Sequence, residues 1–269
     1  QHGADDFHGA GGELRVEERR VNWEILDVWQ RAAAECGIPT IEEFNRGDNF
    51  GCSYFQMNQR RGKRWSATSA YLKPVMSRRN LTVRTNTAVE NLCLDLSDGK
   101  LSAKGVSACI NGNEKVRFTA RREILLSAGA VGSPQILQLS GIGSQKLLDD
   151  RGVKVNLDLP GVGENLQDHL QVRSVYKVKN TVTLNQRANS LAGKALMGLE
   201  YFLFKTGPLT MPPSQLGAFA KSDPSQSSAN IEWHVQPLSL EKFGDPLHTF
   251  NAITPSVCNL RPSSRGHVR

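Results

Sequence analysis

The sequence lacks several features that would assign the chain to a membrane, a metal or an oxidising compartment. No run approaches the ~18 apolar residues of a membrane-spanning helix. The 5 cysteines are scattered over 269 residues and form no Cys-x-x-Cys pair, the spacing typical of zinc and dithiol sites. Isolated thiols are typical of a reducing compartment. The sequence leaves the location undefined, with a cytoplasmic or membrane-peripheral one favoured. We predict no transmembrane span and no metal site.

Acidic residues are in the minority, and the formal net charge is +7. A strongly basic chain is a candidate for binding nucleic acid or another polyanion. The basic residues are scattered, however, with local clusters at 60–64 and 78–79, and no nucleic-acid-binding motif accompanies them. We therefore predict solvated basic loops and no nucleic-acid partner. A basic polyanion-binding protein is an alternative that rests on the charge alone.

A glycine-rich G-x-G-x-x-G turn, which brings backbone close to a dinucleotide pyrophosphate, is also missing. The nearest candidate is GAGG at residues 9–12. No apolar strand precedes it, and residues 13–16 read as a short strand instead of the helix that such a turn requires. We predict a loop at 9–12.

What remains is ordinary for a globular chain, with 39% hydrophobic and 22% charged residues. Periodicity and turn signals predict an α/β fold. Helices are predicted at 22–36, 66–77, 134–140, 145–151 and 190–205. Strands are predicted at 81–85, 88–96, 105–110, 114–119, 123–128, 231–240 and 250–260, of which 88–119 forms a β-meander.

The most informative stretch runs from residue 126 to residue 169, and the strand that leads into it begins at residue 123. An apolar strand at 123–128 is followed by a glycine turn and then by a helix. Ser133 is a good N-cap for this helix, and Pro134 suits the first helical position, where a missing N–H costs nothing. Backbone N–H groups without a hydrogen-bond partner at the start of a helix can bind an anionic or phosphate-bearing cofactor.

This stretch also carries a family resemblance. Residues 129–143 read GAVGSPQILQLSGIG, with Ser-Pro and Ser-Gly-Ile-Gly at fixed spacing. They resemble the second signature of the glucose–methanol–choline (GMC) oxidoreductases, which are FAD-dependent alcohol oxidases and dehydrogenases. Further segments are similar to that family, and the choline-dehydrogenase-like branch is the most similar: RWS at 64–66, AYL at 70–72, LPGVGENLQDH at 159–169 and RPSSRG at 261–266.

The resemblance implies a mixed α/β architecture with two parts. Residues 1–170 would form part of an FAD-binding, Rossmann-like domain with an inserted β-meander, without its G-x-G-x-x-G portion. Residues 171–269 would form part of a substrate-binding domain, a sheet with helices on one side. The expected parent is a longer enzyme of which this chain is a central fragment. The alternative is a truncated, inactive remnant that serves only as a weak FAD-binding or interaction module.

The resemblance also implies three cofactor-binding residues. Residues 85–89 match a family strand whose valine offers its backbone to the FAD adenine, which corresponds to Val89. A strand-end N–H and C=O can pair with the adenine edge whatever the side chain. Ala128 and Gly129 correspond to residues close to the FAD, where small side chains permit close approach. The competing reading of all three residues is ordinary strand or turn packing.

No catalytic residue is predicted within this chain. In the family, a histidine near the C-terminus takes the proton of a small-molecule alcohol, and the carbon's hydrogen leaves as hydride to flavin N5. The Asp168-His169 pair matches a different, mainly structural motif. The residue pattern leaves the alcohol, the electron acceptor and the oligomeric state undefined.

Two short segments are candidates for the substrate pocket, 212–215 and 233–234. His234 and His248 lie near acidic residues without the spacing of metal ligands, and we predict structural roles for both.

Overall fold

The computed structural model describes residues 3–97 and 99–269. It is a mixed α/β fold that divides into two compact units. Unit 1 comprises Gln1–Leu81 with His169–Arg261, and unit 2 comprises Thr82–Asp168 with Pro262–Arg269. The functional division at residue 170, into cofactor and substrate domains, stays a prediction. Within the described ranges, no helix is long and apolar enough to cross a membrane.

Strands and helices are labelled in chain order. The α-helices are α1 (Glu24–Glu35), α2 (Gly129–Leu139), α3 (Gln145–Asp150), α4 (Leu184–Ala188) and α5 (Leu191–Phe204). A π-helical turn (Thr68–Leu72) and two 3-10 turns (Lys73–Val75, Pro208–Thr210) accompany them. The strands are β1 (Gly51–Tyr54), β2 (Gln59–Arg60), β3 (Lys63–Arg64), β4 (Thr87–Ser97), β5 (Lys100–Ile110), β6 (Glu114–Thr119), β7 (Ile142–Gly143), β8 (Leu157–Asp158), β9 (Glu164–Leu166), β10 (Gln171–Arg173), β11 (Tyr176–Lys177), β12 (Leu216–Ala220), β13 (Ile231–Gln236), β14 (Ala252–Asn259) and β15 (Gly266–His267).

Unit 1 is built on a six-stranded sheet with the order β1-β12-β13-β14-β10, and β11 also pairs with β14. All of these pairings are antiparallel. Helix α1 contributes Leu26 to the main apolar core, where it meets Leu216 and Val235 from the sheet. The helix forms because its apolar residues recur at helical spacing, and the prediction at 22–36 is confirmed. The chain leaves the helix through Gly37 at φ +87°.

Unit 2 contains the predicted meander, in which β4, β5 and β6 form an antiparallel three-stranded sheet. The β5–β6 connection passes through Asn111 and Gly112, both at positive φ, as the local turn signal predicts. Two smaller pairings complete this unit, β7 with β8 in parallel and β9 with β15 antiparallel. Helix α2 contacts β4.

The stretch before α2 departs from its prediction. Residues 123–128 form no strand, because no strand of the described residues pairs with them, and Leu125 is 80% exposed. The segments 13–16 and 81–85 are likewise irregular. Helix α2 begins at Gly129, so Ser133 is not its N-cap and Pro134 lies inside the helix.

Candidate functional site

The first turn of α2 is exposed and has no side-chain cap. Ala128 is the N-cap residue, and no side chain within the described residues accepts a hydrogen bond from the first turn. The Ser133 hydroxyl instead accepts a 3.0 Å hydrogen bond from the Ala128 N–H. Gly129 follows at φ +84°, with open space where a Cβ would lie. The turn therefore presents backbone donors that have no partner inside the helix.

Val89, the third predicted cofactor residue, lies on β4, and its side chain is exposed. Because β4 is the edge of the three-stranded sheet, one side of its backbone has no strand beside it in the described ranges. The β4–β5 register shifts between Val89 and Asn91, so the ladder is irregular where Val89 lies. The structure thus places Val89, Ala128 and Gly129 in unit 2, on elements that contact each other.

The second half of the signature is structural. The buried Ser140 hydroxyl accepts a 2.8 Å hydrogen bond from the Leu92 N–H, which connects the end of α2 to β4. Gly141, at φ +75°, lies so close to Lys154 O and Asn156 Nδ2 that a Cβ would clash with both. Residues 138–143 therefore hold α2 against its neighbours, whereas the first turn is open.

Unit 1 contains a cavity of about 760 Å³. Its apolar wall includes Phe55, Met57, Tyr201 and Met211. Of the predicted pocket positions, Pro212, Ser214 and His234 line it, whereas Pro213, Gln215 and Trp233 are not among the lining residues.

Gln59 supplies an unpaired acceptor beside this cavity. The residue lines the cavity and is 1% exposed. Its Nε2 donates a 3.2 Å hydrogen bond to Glu18 O, while its Oε1 has no partner among the described residues. A buried carbonyl without a partner is unfavourable. Because this oxygen is itself buried, a ligand hydroxyl in the cavity would reach it, and relieve the cost, only after the lining side chains move.

The family follows from a match over most of the chain. A family model described as GMC oxidoreductase matches residues 4–171. The chain belongs to the GMC oxidoreductase family. This confirms the predicted resemblance, which was based on the 129–143 signature and its flanking segments.

Two curated relatives of this GMC chain illustrate the similarity. The alcohol dehydrogenase [acceptor] of Pseudomonas putida is 34% identical over 265 residues, which covers 98% of this chain and 47% of that protein. The mitochondrial choline dehydrogenase of Homo sapiens is 36% identical over 267 residues, covering 99% of this chain and 44% of the relative. The chain thus spans about half the length of the curated relatives it matches.

Solved structures share the fold. Pyridoxine 4-oxidase from Mesorbium loti aligns with a TM-score of 0.78 at 27% identity, over 97% of this chain and 47% of that one. An FAD-dependent oxidoreductase from Chaetomium thermophilum aligns with a TM-score of 0.80 at 23% identity, over 96% of this chain and 50% of the other. The predicted α/β class is confirmed by both alignments.

Sequence reasoning missed two features of unit 1. Gln59 was not predicted because its burial depends on packing between distant segments. A cluster of Glu232, His234 and Cys258 was also missed, because its members come from two strands that the sheet register brings together. The alternation of β13 was visible in the sequence, but the pairing of Cys258 with Glu232 was not.

Proposed function

We propose that this GMC chain is part of an FAD-dependent oxidoreductase that oxidises the CH–OH group of a small-molecule alcohol, in the manner of choline dehydrogenases. The observation that carries the proposal is the 129–143 signature, whose first turn is open while its second half is locked in place. FAD carries many hydrogen-bond acceptors. Backbone N–H groups without a cap at the start of a helix can donate to such a ligand.

Three residues would contact FAD. Ala128 and Gly129 would offer backbone at the first turn of α2, where Gly129 leaves room for close approach. Val89 would offer the backbone of the β4 edge. These residues fit FAD because all three are exposed. The Ala128 N–H already donates to the Ser133 hydroxyl, so Gly129 would supply the backbone N–H of this pair. When bound, FAD supplies the acceptor for the hydride that leaves the alcohol carbon.

The cavity of unit 1 would take the alcohol. Its apolar wall, with Phe55, Met57 and Tyr201, would exclude water from the carbon chain of the substrate. The Gln59 Oε1 atom would accept a hydrogen bond from the substrate hydroxyl and orient it. We assign no catalytic base to this chain.

Anaerobic titration of the full-length protein tests this function. Purified protein carrying FAD is mixed with a panel of primary alcohols, choline included, while the flavin absorbance is followed. We expect one or more alcohols to bleach the flavin, with formation of the aldehyde. A protein that binds FAD but is reduced by no alcohol of the panel would contradict the proposed reaction and favour the inactive remnant.

A variant of Gln59 tests the substrate cavity separately. Gln59→Leu removes the unpaired acceptor, so we expect a higher KM for the alcohol with the FAD content unchanged. The matched control is Gln145→Leu, because Gln145 is exposed in unit 2 and its side chain does not line the cavity. Equal KM values for the two variants would remove Gln59 from the substrate site.

A further inference from the structure

Three potential metal ligands of different chemistry meet on one face of the six-stranded sheet. Glu232 and His234 are alternate residues of β13, so their side chains point to the same side. Cys258 on β14 is the direct antiparallel partner of Glu232. Directly paired residues share a face, so the thiol lies beside the carboxylate. The ligand atoms of all three residues lie within 4.8 Å of one another.

Two of the three ligand-atom separations in this cluster are close to those of a tetrahedral zinc site. His234 Nε2 lies 3.2 Å from Glu232 Oε1, and Cys258 Sγ lies 3.8 Å from Glu232 Oε2. Zinc–ligand bond lengths at tetrahedral angles imply about 3.4 Å between nitrogen and oxygen and about 3.6 Å between sulfur and oxygen. The third pair, His234 Nε2 and Cys258 Sγ, lies within 4.8 Å, against about 3.5 Å in a tetrahedral zinc site. Side-chain rotation must therefore bring the imidazole and the thiol together around one ion.

We propose that Glu232, His234 and Cys258 bind one Zn²⁺ ion, with a fourth position left to water. A thiolate, an imidazole and a carboxylate together suit zinc, which accepts sulfur, nitrogen and oxygen ligands, better than the oxygen-preferring Mg²⁺ or Ca²⁺. Three protein ligands with one open position is the composition of an accessible zinc site. The proposal rests on the geometry of the cluster and not on the proposed alcohol oxidation, although His234 also lines the cavity assigned to the alcohol.

A buried hydroxyl beside the cluster has no hydrogen-bond partner among the described residues, which is evidence that a ligand binds here. Ser256 on β14 is the direct partner of His234, so both residues lie on the same face. Ser256 is 1% exposed, and its Oγ has no hydrogen-bond partner among the described residues. A water at the open zinc position would give this hydroxyl the partner that it lacks.

Once metal binding has ionised Cys258, the acidic ligands of the face would suit a divalent cation. The Glu232 carboxylate and an ionised Cys258 carry two negative charges, which one Zn²⁺ neutralises. Arg173, paired with Ser256, adds a positive charge to this face that opposes cation binding; its Nε and Nη2 have no hydrogen-bond partner among the described residues, and its guanidinium carbon lies 4.8 Å from the centre of the Phe243 ring. His234 lines the cavity of unit 1, so the ion has an entry path.

Zinc binding must release the thiol proton. Without metal, a cysteine thiol carries its proton near neutral pH. As the Zn–S bond forms, this proton leaves to solvent. We expect about one proton released per ion bound at neutral pH, because the ligating thiol must be ionised.

Cobalt and zinc titrations of the full-length protein test the site. Protein treated with a chelator is titrated with Co²⁺, and we expect one equivalent to produce a thiolate-to-cobalt charge-transfer band together with tetrahedral visible bands. Excess Zn²⁺ should remove both. Cys258→Ser should abolish the charge-transfer band, while the control Cys36→Ser, which alters an exposed thiol, should retain it.

A second ligand variant keeps the test decisive if Cys258→Ser fails to fold. His234→Gln alters a partly exposed side chain and should weaken Zn²⁺ binding by at least the ~10–100-fold that loss of a supporting residue costs. The matched control is His248→Gln, a histidine outside the cluster. The absence of a charge-transfer band in the unaltered protein, or its survival in Cys258→Ser, would overturn the proposal, as would equal zinc affinities in the two histidine variants.

Discussion

The side-chain amide of Gln138 donates a 2.9 Å hydrogen bond to the backbone carbonyl of Val268, 130 residues further along the chain. The Val268 N–H in turn donates a 2.7 Å hydrogen bond to Gly163 O. The α2 signature, the 159–169 segment and the end of the chain are thus held together within unit 2. Much of the signature that identifies the family therefore has an architectural role.

Replacing Gln138 by leucine should lower the free energy of unfolding by about 1 kcal/mol, the usual net value of a neutral hydrogen bond. The variant keeps the size of the side chain but leaves the Val268 carbonyl without its donor. Urea unfolding of the full-length protein measures the effect. Gln145→Leu is the control, and equal stability of the two variants would contradict the structural role of Gln138.

Gly141 and Gly152 form a matched pair for testing how close packing around a glycine affects the stability of an alanine variant. Both have positive φ, but a Cβ at Gly141 would meet Lys154 O and Asn156 Nδ2, whereas a Cβ at Gly152 would meet open space. We expect Gly152→Ala to cost ~1–2 kcal/mol for the left-handed backbone. Gly141→Ala should cost a further ~1–3 kcal/mol because surrounding backbone must shift. Unfolding free energies of both variants check this difference, and similar values would show that Gly141 is not crowded.

Gly129→Ala should weaken FAD binding more than it weakens the fold. The substitution disfavours the φ of +84° and adds a methyl group where the cofactor is proposed to approach. We expect at least a tenfold loss of FAD affinity in the full-length protein, measured by flavin fluorescence after removal and re-addition of FAD.

Gly161→Ala is the control for that experiment, since Gly161 is exposed and has open space around it. An unchanged FAD affinity in Gly129→Ala would remove the first turn of α2 from the cofactor site.

The buried thiol of Cys52 should make the protein sensitive to alkali. Burial raises the pKa of Cys52 from 9.0 to about 12. Between these values the unfolded chain has lost the thiol proton and the folded chain keeps it, so the free energy of unfolding falls as pH rises. The contribution is complete below pH 9.0 and is lost progressively up to about 12.

Urea unfolding at two alkaline pH values checks this sign. The slope from one such group approaches ~1.4 kcal/mol per pH unit once the unfolded thiol is ionised. Burial also raises the pKa of Tyr54, which adds to the fall at higher pH. Cys52→Ala should flatten the slope, and Cys36→Ala, at an exposed thiol, should not. Equal slopes in these two variants would contradict the assignment to Cys52.

Local patterns predicted the elements whose partners are close in sequence. The β4–β6 meander was predicted because each strand pairs with the next one through a short turn. The predicted start of α2 was wrong. Gly129 takes a left-handed backbone, and the Ser133 hydroxyl accepts a hydrogen bond from the Ala128 N–H. The preference for serine at the N-cap and proline at the first helical position anticipates neither feature. The predicted strand at 123–128 was wrong, because an apolar segment forms a strand only when another strand pairs with it.

The site residues also fall into two groups, those that local sequence identifies and those that only the structure brings together. Val89 was identified through the 85–89 match, and Ala128 and Gly129 through the segment that leads into the 129–143 signature. The contact of all three with FAD stays a prediction. The zinc cluster joins Glu232 with a cysteine 26 residues away, and only the β13–β14 register reveals that the two are neighbours. Sequence spacing alone indicated a structural role for His234.

The most direct measurement of the central claim is the cofactor content of the full-length protein combined with its response to alcohol. We predict about one FAD per protein and bleaching of that flavin under anaerobic conditions by at least one primary alcohol. A correctly folded full-length protein that carries no flavin and takes up none when FAD is added would contradict the account.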